Sequence, residues 1–237
     1  GTLLTEDGIA VANAQITAYN SSLRSWNTMS DSEGYFSLSE LPAGSYRALI
    51  VPAYSDNLLA TFITDSDEPM LDICSSSAIN LEPTGEVEIQ QFLSAGLIVT
   101  GQIQDAASNG LEDVECWLEG HESHEGLSIP RGALSDEQGN FVIAGVPSNQ
   151  ALQFRFSSDE IPEQYDGGEL AVTDDALSAE QWFSQDTVLP TSFQLLSGVR
   201  IEGLIYSGSL AISDADVTVY SGGQITRTTS NQNGVYS

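Results

Sequence analysis

The chain has 237 residues, enough for about two domains of ordinary size, and its 41% hydrophobic content is that of a chain that folds. Its formal net charge is −28, from 34 Asp and Glu residues against 6 arginines with no lysine, so an approach to nucleic acid or anionic lipid brings like charges together. No apolar run reaches the length that spans a bilayer, and we expect neither nucleic acid nor membrane insertion.

The first predicted strands lie at residues 1–4 and 13–19. Small or apolar residues alternate with mainly polar ones along the second strand, which is the pattern of a strand with one buried face. The expected inward residues are Ala14, Ile16 and Ala18. Residues 31–34 then form an Asp-x-x-Gly turn, in which the glycine supplies the positive φ that a tight turn needs.

Two further strands are predicted beyond this turn. The first places Phe36 and Leu38 inward, and the second, which follows a Leu-Pro-x-Gly hairpin at residues 41–44, places Leu49 and Val51 inward. The strands are short and are separated by turn residues, and no stretch keeps a sustained helical period. The pattern therefore predicts an antiparallel sandwich, with a short helical turn at residues 174–182 as the exception.

The pattern of the first 50 residues returns near residue 101 and begins again near residue 203. In the first two copies the opening glycine precedes the small core residue by 13 positions, and the turn glycine precedes the hairpin proline by 8. A period near 100 residues suits a self-contained domain. We therefore predict domains at 1–95, at 96–197 with a loop insertion near 119–130, and at 198–237, the last incomplete.

The fold class that follows is all-β, with tandem antiparallel β-sandwich domains and a truncated third copy; the resemblance described next implies the transthyretin-like, Greek-key and Ig-like kind. Apolar strand residues precede the opening glycine in the second and third copies but not Gly1. The first strand of the first copy is therefore expected to be clipped, and the chain to be a fragment cut at both ends.

The ordered motifs resemble the bacterial carboxypeptidase regulatory-like domain, a seven-stranded transthyretin-like or prealbumin-like sandwich. The matching stretches are residues 8–16, 31–36 and 41–46 of the first copy, and the Tyr-Asp-Gly at 165–167. The second copy departs from the pattern at 146–150, where the hairpin lacks its glycine. The resemblance implies an accessory module beside a catalytic, transport or adhesive part, and it implies no peptidase activity.

Two cysteines and a histidine loop are the chemically suggestive features. Cys116 aligns with Ile16 at an inward position, which favours a buried free thiol, and a disulfide with Cys74 is the alternative. The loop insertion of the second copy carries two imidazoles and two carboxylates that are suitable ligands for zinc, copper or nickel, although a solvated surface loop is the alternative. These metal candidates are His121, Glu122, His124 and Glu125.

Calcium is a further candidate, although no cofactor is required for a chain of this size. Carboxylates gather at three turns, whereas calcium needs six to eight converging oxygens, and solvated turns are the alternative. The three groups are Asp31 with Glu33, Asp136 with Glu137, and Asp105 with Glu112 and Asp113.

Outward aromatic side chains raise the possibility of carbohydrate binding. Trp117 lies on the predicted outward row level with Thr17 and Thr218, which makes it the best candidate, and Trp26 is the second; Trp182 is the remaining tryptophan. The alternative is that Trp117 covers a contact between domains.

No set of nucleophile, base and orienting group recurs near the motifs, so no catalytic residue is assigned and the chain is not expected to be an enzyme. We predict a non-catalytic, adhesin-like extracellular region that serves as a spacer, stalk or interaction module of a larger secreted or surface protein and contacts neighbouring repeats. The alternative is a carbohydrate-binding module for a polysaccharide or surface ligand.

The acidic surface suits a marine or salt-tolerant source. Without lysine, the chain cannot form the lysine–asparagine isopeptide bond of related pilin and adhesin repeats.

Overall fold

A computed structural model describes residues 1–63, 76–120, 130–159, 161–167, 171–172, 178–196, 201–221 and 224–236. All regular elements within these ranges are β-strands, and the first two copies each enclose a hydrophobic core between two sheets. The predicted all-β tandem sandwich is therefore confirmed. Residues 174–177 of the predicted helical turn lie outside the described ranges, and its described part, 178–182, contains no helix.

The first copy contains seven strands, which are β1 (Thr2–Thr5), β2 (Gln15–Asn20), β3 (Ser25–Met29), β4 (Gly44–Val51), β5 (Thr61–Phe62), β6 (Ile79–Leu81) and β7 (Gln90–Leu93). One sheet has the order β3-β2-β4-β5, with β6 also paired to β4, and the other is the pair β1-β7. Leu3 and Leu93 of the small sheet pack on Ala14, Ile16 and Ile50. The alternation predicted for β2 is confirmed, because Ala14, Ile16 and Ala18 are all buried.

The second copy repeats this plan with β8 (Leu97–Gln104), β9 (Glu115–Gly120), β10 (Arg131–Leu134), β11 (Asn140–Val146), β12 (Leu152–Ser157), β13 (Gln164–Asp166), β14 (Ala171–Val172), β15 (Thr187–Val188) and β16 (Phe193–Gln194). The sheet β10-β9-β12-β13-β14 faces the sheet β11-β8-β15, and β16 also pairs with β8. Aromatic rings fill the space between them. The Phe154 ring lies 5.9 Å from that of Phe156 and 4.8 Å from that of Phe193.

The sandwiches are not wholly antiparallel. β7 runs parallel to β1, and β15 and β16 run parallel to β8. Almost a whole copy separates each of these strands from its partner, a connection long enough for either direction. This pairing joins the end of each copy to its beginning.

The third copy consists of β17 (Gly203–Leu204), β18 (Tyr206–Ser207), β19 (Leu210–Ala211), β20 (Asp216–Ser221), β21 (Gln224–Thr229) and β22 (Val235–Tyr236). Its described strands associate only in pairs. Ala215, Val217 and Val219, which correspond to the buried row of β2, remain partly exposed. The predicted limits of the three domains stay a prediction.

The inward row predicted for β4 was wrong by one residue. Tyr46, Ala48 and Ile50 are buried, whereas Leu49 and Val51 lie on the other face. The hairpin explains the error, because Phe154 follows Pro147 by seven positions while its equivalent Ala48 follows Pro42 by six. A slip of one residue moves every side chain to the opposite face of a strand.

The strand predicted at Phe36 and Leu38 does not form in the first copy. Both side chains face the core, but residues 36–41 have no strand partner among the residues that the structure describes. Phe36 is hydrogen-bonded to the backbone of Gly1, and a single bridge joins Tyr35 to Thr2. In the second copy the equivalent strand is β11, which pairs along β8. The two copies differ here in whether a neighbouring strand pairs with this segment, and not in the residues of the segment.

A buried serine is repeated in all three copies, four residues before the turn glycine. Ser30, Ser135 and Ser230 each accept a hydrogen bond from the backbone amide of a residue near the start of the second strand, at 3.0–3.1 Å. Each also donates to a carbonyl three residues earlier than that amide, at 2.6–2.7 Å. The hydroxyl thus adds two hydrogen bonds to the main-chain bonds that already join each serine to the start of the second strand.

Candidate functional site

A network of hydrogen bonds from a buried arginine lies at the junction between the first two copies. A loop at residues 52–58 follows β4 and reaches across to β10 of the second copy. Its centre is Arg131, the first residue of β10, which is only 1% exposed. A charge that is buried so deeply must be satisfied by hydrogen bonds, because an uncompensated buried charge is strongly destabilising.

Four backbone carbonyl oxygens accept hydrogen bonds from the Arg131 guanidinium. The Nε–H of Arg131 donates to the carbonyl of Ala144 at 3.0 Å within the second copy. Nη1 donates to the carbonyl of Pro52, and Nη2 donates to those of Ala53 and Asp56, each at 3.1 Å. Three of the four bonds therefore cross from the second copy to the first. Burial lowers the pKa of the guanidinium from its ordinary value, and the nearby Asp56 opposes this shift.

Aromatic rings close the junction on the outer face of the sheet. The Tyr54 ring lies 5.1 Å from the guanidinium carbon of Arg131 and meets the Trp117 ring edge-on at 5.6 Å. Gly132 makes room for this arrangement, since a Cβ at that position would lie 2.5 Å from the indole. On its other side the indole contacts Arg155, whose guanidinium carbon is 5.7 Å from the ring. The loop thus wraps around the edge strand β10.

Asn57 anchors the linker between the copies. Its Oδ1 accepts a hydrogen bond from the amide of Gly145 at 3.0 Å, and its carbonyl accepts one from the amide of Gly96 at 3.1 Å. Gly145 has a φ of 71°, and a Cβ there would lie 2.4 Å from the carbonyl oxygen of Leu58. Only glycine fits this close approach of two backbones. The junction is therefore held by main chain as well as by side chains.

The structure separates the two tryptophans predicted to bind a ligand. Trp117 is partly buried in the junction, and its Nε1 is buried without a hydrogen-bond partner among the described residues. Trp26 packs against the core of the first copy and meets Tyr46 edge-on at 5.5 Å. Trp182, on the second copy, is 53% exposed.

The predicted metal ligands His121, Glu122, His124 and Glu125 lie outside the described residues. Within the described ranges, no three His, Cys, Asp or Glu side chains are grouped as metal ligands would be. In the same ranges, no helix has the length and apolar character needed to cross a membrane.

The carboxylates of the acidic turns bond to their own backbone. Oδ1 of Asp31 accepts the amides of Glu33 and Tyr35, both at 2.9 Å. Oδ1 of Asp136 accepts the amides two and four residues later at 3.0 and 2.8 Å, and these bonds and the Asn140 side chain lower the pKa of Asp136. Asn231 makes the same pair of bonds in the third copy without a charge. The bonds that form the turn are thus enough to explain a side-chain oxygen at this position, without a bound calcium ion.

Cys116 is a free, buried thiol whose Sγ contacts the carbonyl of Val114 at 3.3 Å. Burial raises the pKa of this thiol well above its ordinary value, so the reactive thiolate is disfavoured. Cys74, the alternative disulfide partner, lies outside the described residues.

Arg131 is the residue that sequence reasoning missed. Its position is equivalent to that of Trp26 in the first copy and Thr226 in the third. Each of the three residues pairs with the fourth residue of the neighbouring strand, which is β9, β2 and β20 in turn. An arginine at an inward position, in a chain with six arginines and no lysine, is the signal that could have identified it.

No protein-family model matches the chain, and no curated protein matches it significantly. Among solved structures, the chain is similar to the Bacillus anthracis TIE protein, at 12% identity and a TM-score of 0.32 over 99% of this chain and 41% of that one. It is similar to a Streptococcal ancillary pilin, at 11% identity and a TM-score of 0.33 over 99% and 84% of the two chains.

A third similar structure is the shaft pilin SpaA of Lactobacillus rhamnosus GG, at 13% identity and a TM-score of 0.26 over 83% of this chain and 90% of that one. The chain spans 41% of the length of the TIE protein. At these identities and TM-scores, the similarities carry no argument about what this chain does.

Proposed function

We propose that this chain is a non-catalytic, extracellular spacer region, in which carboxypeptidase regulatory-like sandwiches are joined so that they hold a fixed orientation. The observation that carries the proposal is the junction around Arg131. Three hydrogen bonds from one buried guanidinium cross from the second copy to the carbonyls of the first. A connection of this kind resists bending, whereas a flexible linker leaves neighbouring domains free to move.

The surface charge supports an extracellular, salt-exposed setting for this spacer. A formal charge of −28 keeps the chain soluble, and the self-repulsion that accompanies it is screened at high ionic strength. The neighbouring partners of each sandwich are then other repeats of the same polypeptide. A secreted or cell-surface location in a marine or salt-tolerant bacterium remains part of the proposal.

Small-angle scattering of the chain tests the spacer proposal. The wild-type curve should fit one arrangement of the first two sandwiches, while R131A should fit only a mixture of arrangements with a smaller mean dimension. R24A is the matched control, because Arg24 is exposed and its loss leaves the junction intact. A wild-type curve that already requires a mixture contradicts the proposal.

Carbohydrate binding through Trp117 or Trp26 stays a prediction. The test is a glycan array with the wild type and with W117A, and binding that disappears in the variant would favour a binding module over a spacer. The metal predictions are tested by calorimetric titration with Ca²⁺ and with Zn²⁺ after chelation. If neither ion releases or absorbs heat, both metal predictions are wrong.

A further inference from the structure

The outer side of the small sheet in the first copy carries apolar side chains. Along β1 and β7, residues that point into the core alternate with residues on the outer side, and Leu4 and Phe92 are outward partners in the parallel pair. Tyr35 lies on the same side, because it bridges to the outward Thr2 of β1. Tyr35 is 57% exposed and Phe92 is 45% exposed. Leu4, Tyr35 and Phe92 together are called the apolar face below.

The same three positions carry amide side chains in the second copy. The residues equivalent to Leu4, Tyr35 and Phe92, which have equivalent strand partners, are Gln104, Asn140 and Gln194. Gln104 donates through Nε2 to Oε1 of Gln102 and accepts from the hydroxyl of Ser192, both at 3.0 Å. The second sandwich thus folds with a polar, hydrogen-bonded surface at this place.

The comparison of the two copies separates folding from binding. Outward side chains do not fill the core, and a cross-strand contact such as that of Leu4 with Phe92 stabilises a strand pair only slightly. Exposed apolar surface is unfavourable in water, and clusters of it mark interaction sites, in which aromatic side chains are enriched. Because amides serve the fold equally well in the second copy, contact with a partner is the physical role that an apolar face can fill here.

The junction between copies does not cover this side of a sandwich. The first copy contacts the second at Gly96, Arg131 and Gly145. Asn140 and Gln194, on the side equivalent to the apolar face, are exposed. A repeat joined to the first copy through the same kind of junction would therefore leave the apolar face open as well.

Carboxylates surround the apolar face. Asp31 and Glu33 lie in the turn that leads into Tyr35, and Glu88 lies two residues before β7; all three are exposed. Neither strand of the sheet, nor the turn at 31–34, contains a lysine, an arginine or a histidine. A surface that carries lysine or arginine is attracted to this rim, whereas the same face of a second copy of this chain would bring carboxylates against carboxylates.

We propose that the apolar face is a docking surface for a different protein, whose own contact surface carries apolar side chains flanked by lysine or arginine. The rings of Tyr35 and Phe92 pack against the apolar side chains of the partner, and Asp31, Glu33 and Glu88 attract its cations. This inference adds a binding surface to the spacer. It does not depend on the junction at Arg131, so that the scattering experiment and the binding experiment fail independently.

A short fluorescent peptide in which phenylalanine and leucine alternate with lysine is the probe, and its binding to the whole chain is followed by anisotropy. The test variant is L4Q/Y35N/F92Q, which gives the first copy the three amides of the second. Because these changes alter no charge, the general attraction between a cationic peptide and an acidic chain is the same for variant and wild type. We expect saturable binding by the wild type and at least about tenfold weaker binding by the variant. Its unfolding transition should be retained, since the second copy folds with the same residues.

Two further variants test sufficiency and charge. The reciprocal variant Q104L/N140Y/Q194F should create a second site, so that the stoichiometry rises from one peptide to two. D31N/E33Q should weaken binding at low salt and reduce its dependence on salt. The turn should survive D31N, because Asn231 makes the same backbone bonds in the third copy.

Several results would overturn the proposal. These are equal affinity of the wild type and L4Q/Y35N/F92Q, the absence of saturable binding, an unchanged stoichiometry in the reciprocal variant, and equal binding of a peptide with glutamate in place of lysine. Sedimentation equilibrium tests the other occupant. A dimer of the wild type that L4Q/Y35N/F92Q abolishes would assign the face to a second copy of this chain, and would overturn the proposal too.

Discussion

Truncation of Arg131 is the most informative perturbation of this molecule. Arg131→Ala removes four hydrogen bonds together with the cation that lies beside Tyr54. The carbonyls of Pro52, Ala53 and Ala144 then lose a donor in a place where little water reaches the side chain, which is 1% exposed in the wild type. The change acts on the second copy and on its connection with the first.

The expected loss follows from two opposing contributions. Arg131→Ala leaves four backbone carbonyls without this donor, and a buried acceptor without a partner costs about 1–3 kcal/mol, so the four correspond to roughly 4–12 kcal/mol. Removal of the guanidinium also removes the cost of burying its charge, several kcal/mol, which offsets part of this amount. We therefore expect Arg131→Ala to lower the free energy of unfolding by about 3–5 kcal/mol. Arg131→Lys should fall between the variant and the wild type, because one ammonium cannot reproduce the planar fork.

Urea unfolding followed by tryptophan fluorescence provides the assay. Trp117 reports on the junction and Trp26 on the core of the first copy, so loss of coupling should separate one transition into two. R24A is the control and should change the unfolding free energy by less than about 0.5 kcal/mol, as expected for an exposed side chain. If R131A stays within about 1 kcal/mol of the wild type with an unchanged transition, the reasoning about the buried arginine is refuted.

Three further predictions follow from individual residues. S135A should lower the stability of the second copy by about 2–3 kcal/mol, because the amide of Val114 and a carbonyl lose their partner, while exposed S148A should not, as judged by thermal unfolding. The lowered pKa of Asp136 contributes stability above the unfolded pKa of about 3.9, and this contribution disappears as the pH falls through the folded pKa. D136N should keep both backbone bonds, as Asn231 does in the third copy, but it loses the charge, so it should lower neutral stability slightly and make acid unfolding less steep; a steeper curve would contradict this. In C74S, the raised pKa of buried Cys116 should keep its thiol unmodified by a thiol reagent until the chain unfolds, and rapid labelling of the native chain would show that the site is open.

The fold could be predicted from sequence because its determinants are local and repeated. The alternation at Ala14, Ile16 and Ala18 marks a half-buried strand, and the turn glycines, among them Gly34 with a φ of 79°, mark the turns. Strand alternation and turn glycines are each weak indications alone, and their return in the other copies strengthens the prediction of the fold. The free, buried state of Cys116 was also predictable, since its equivalent in the first copy is the core residue Ile16.

The errors arose where pairing over long distance decides the structure. The run from Ala48 to Val51 is apolar on both faces, so the register of β4 depended on a hairpin whose length differs by one residue between the copies. The strand expected at Phe36 needs a neighbouring strand along its whole length, which composition cannot reveal. The junction was missed for the same reason, because the three carbonyls of the first copy that accept from Arg131 lie 75 to 79 residues away.

Residual dipolar couplings of the backbone amides provide the most direct measurement of whether the first two sandwiches share one orientation. If the junction at Arg131 holds them together, couplings from both copies should fit a single alignment tensor, and R131A should require two tensors of different magnitude. Two different tensors in the wild-type chain would contradict the claim that the buried guanidinium joins the copies into one rigid unit.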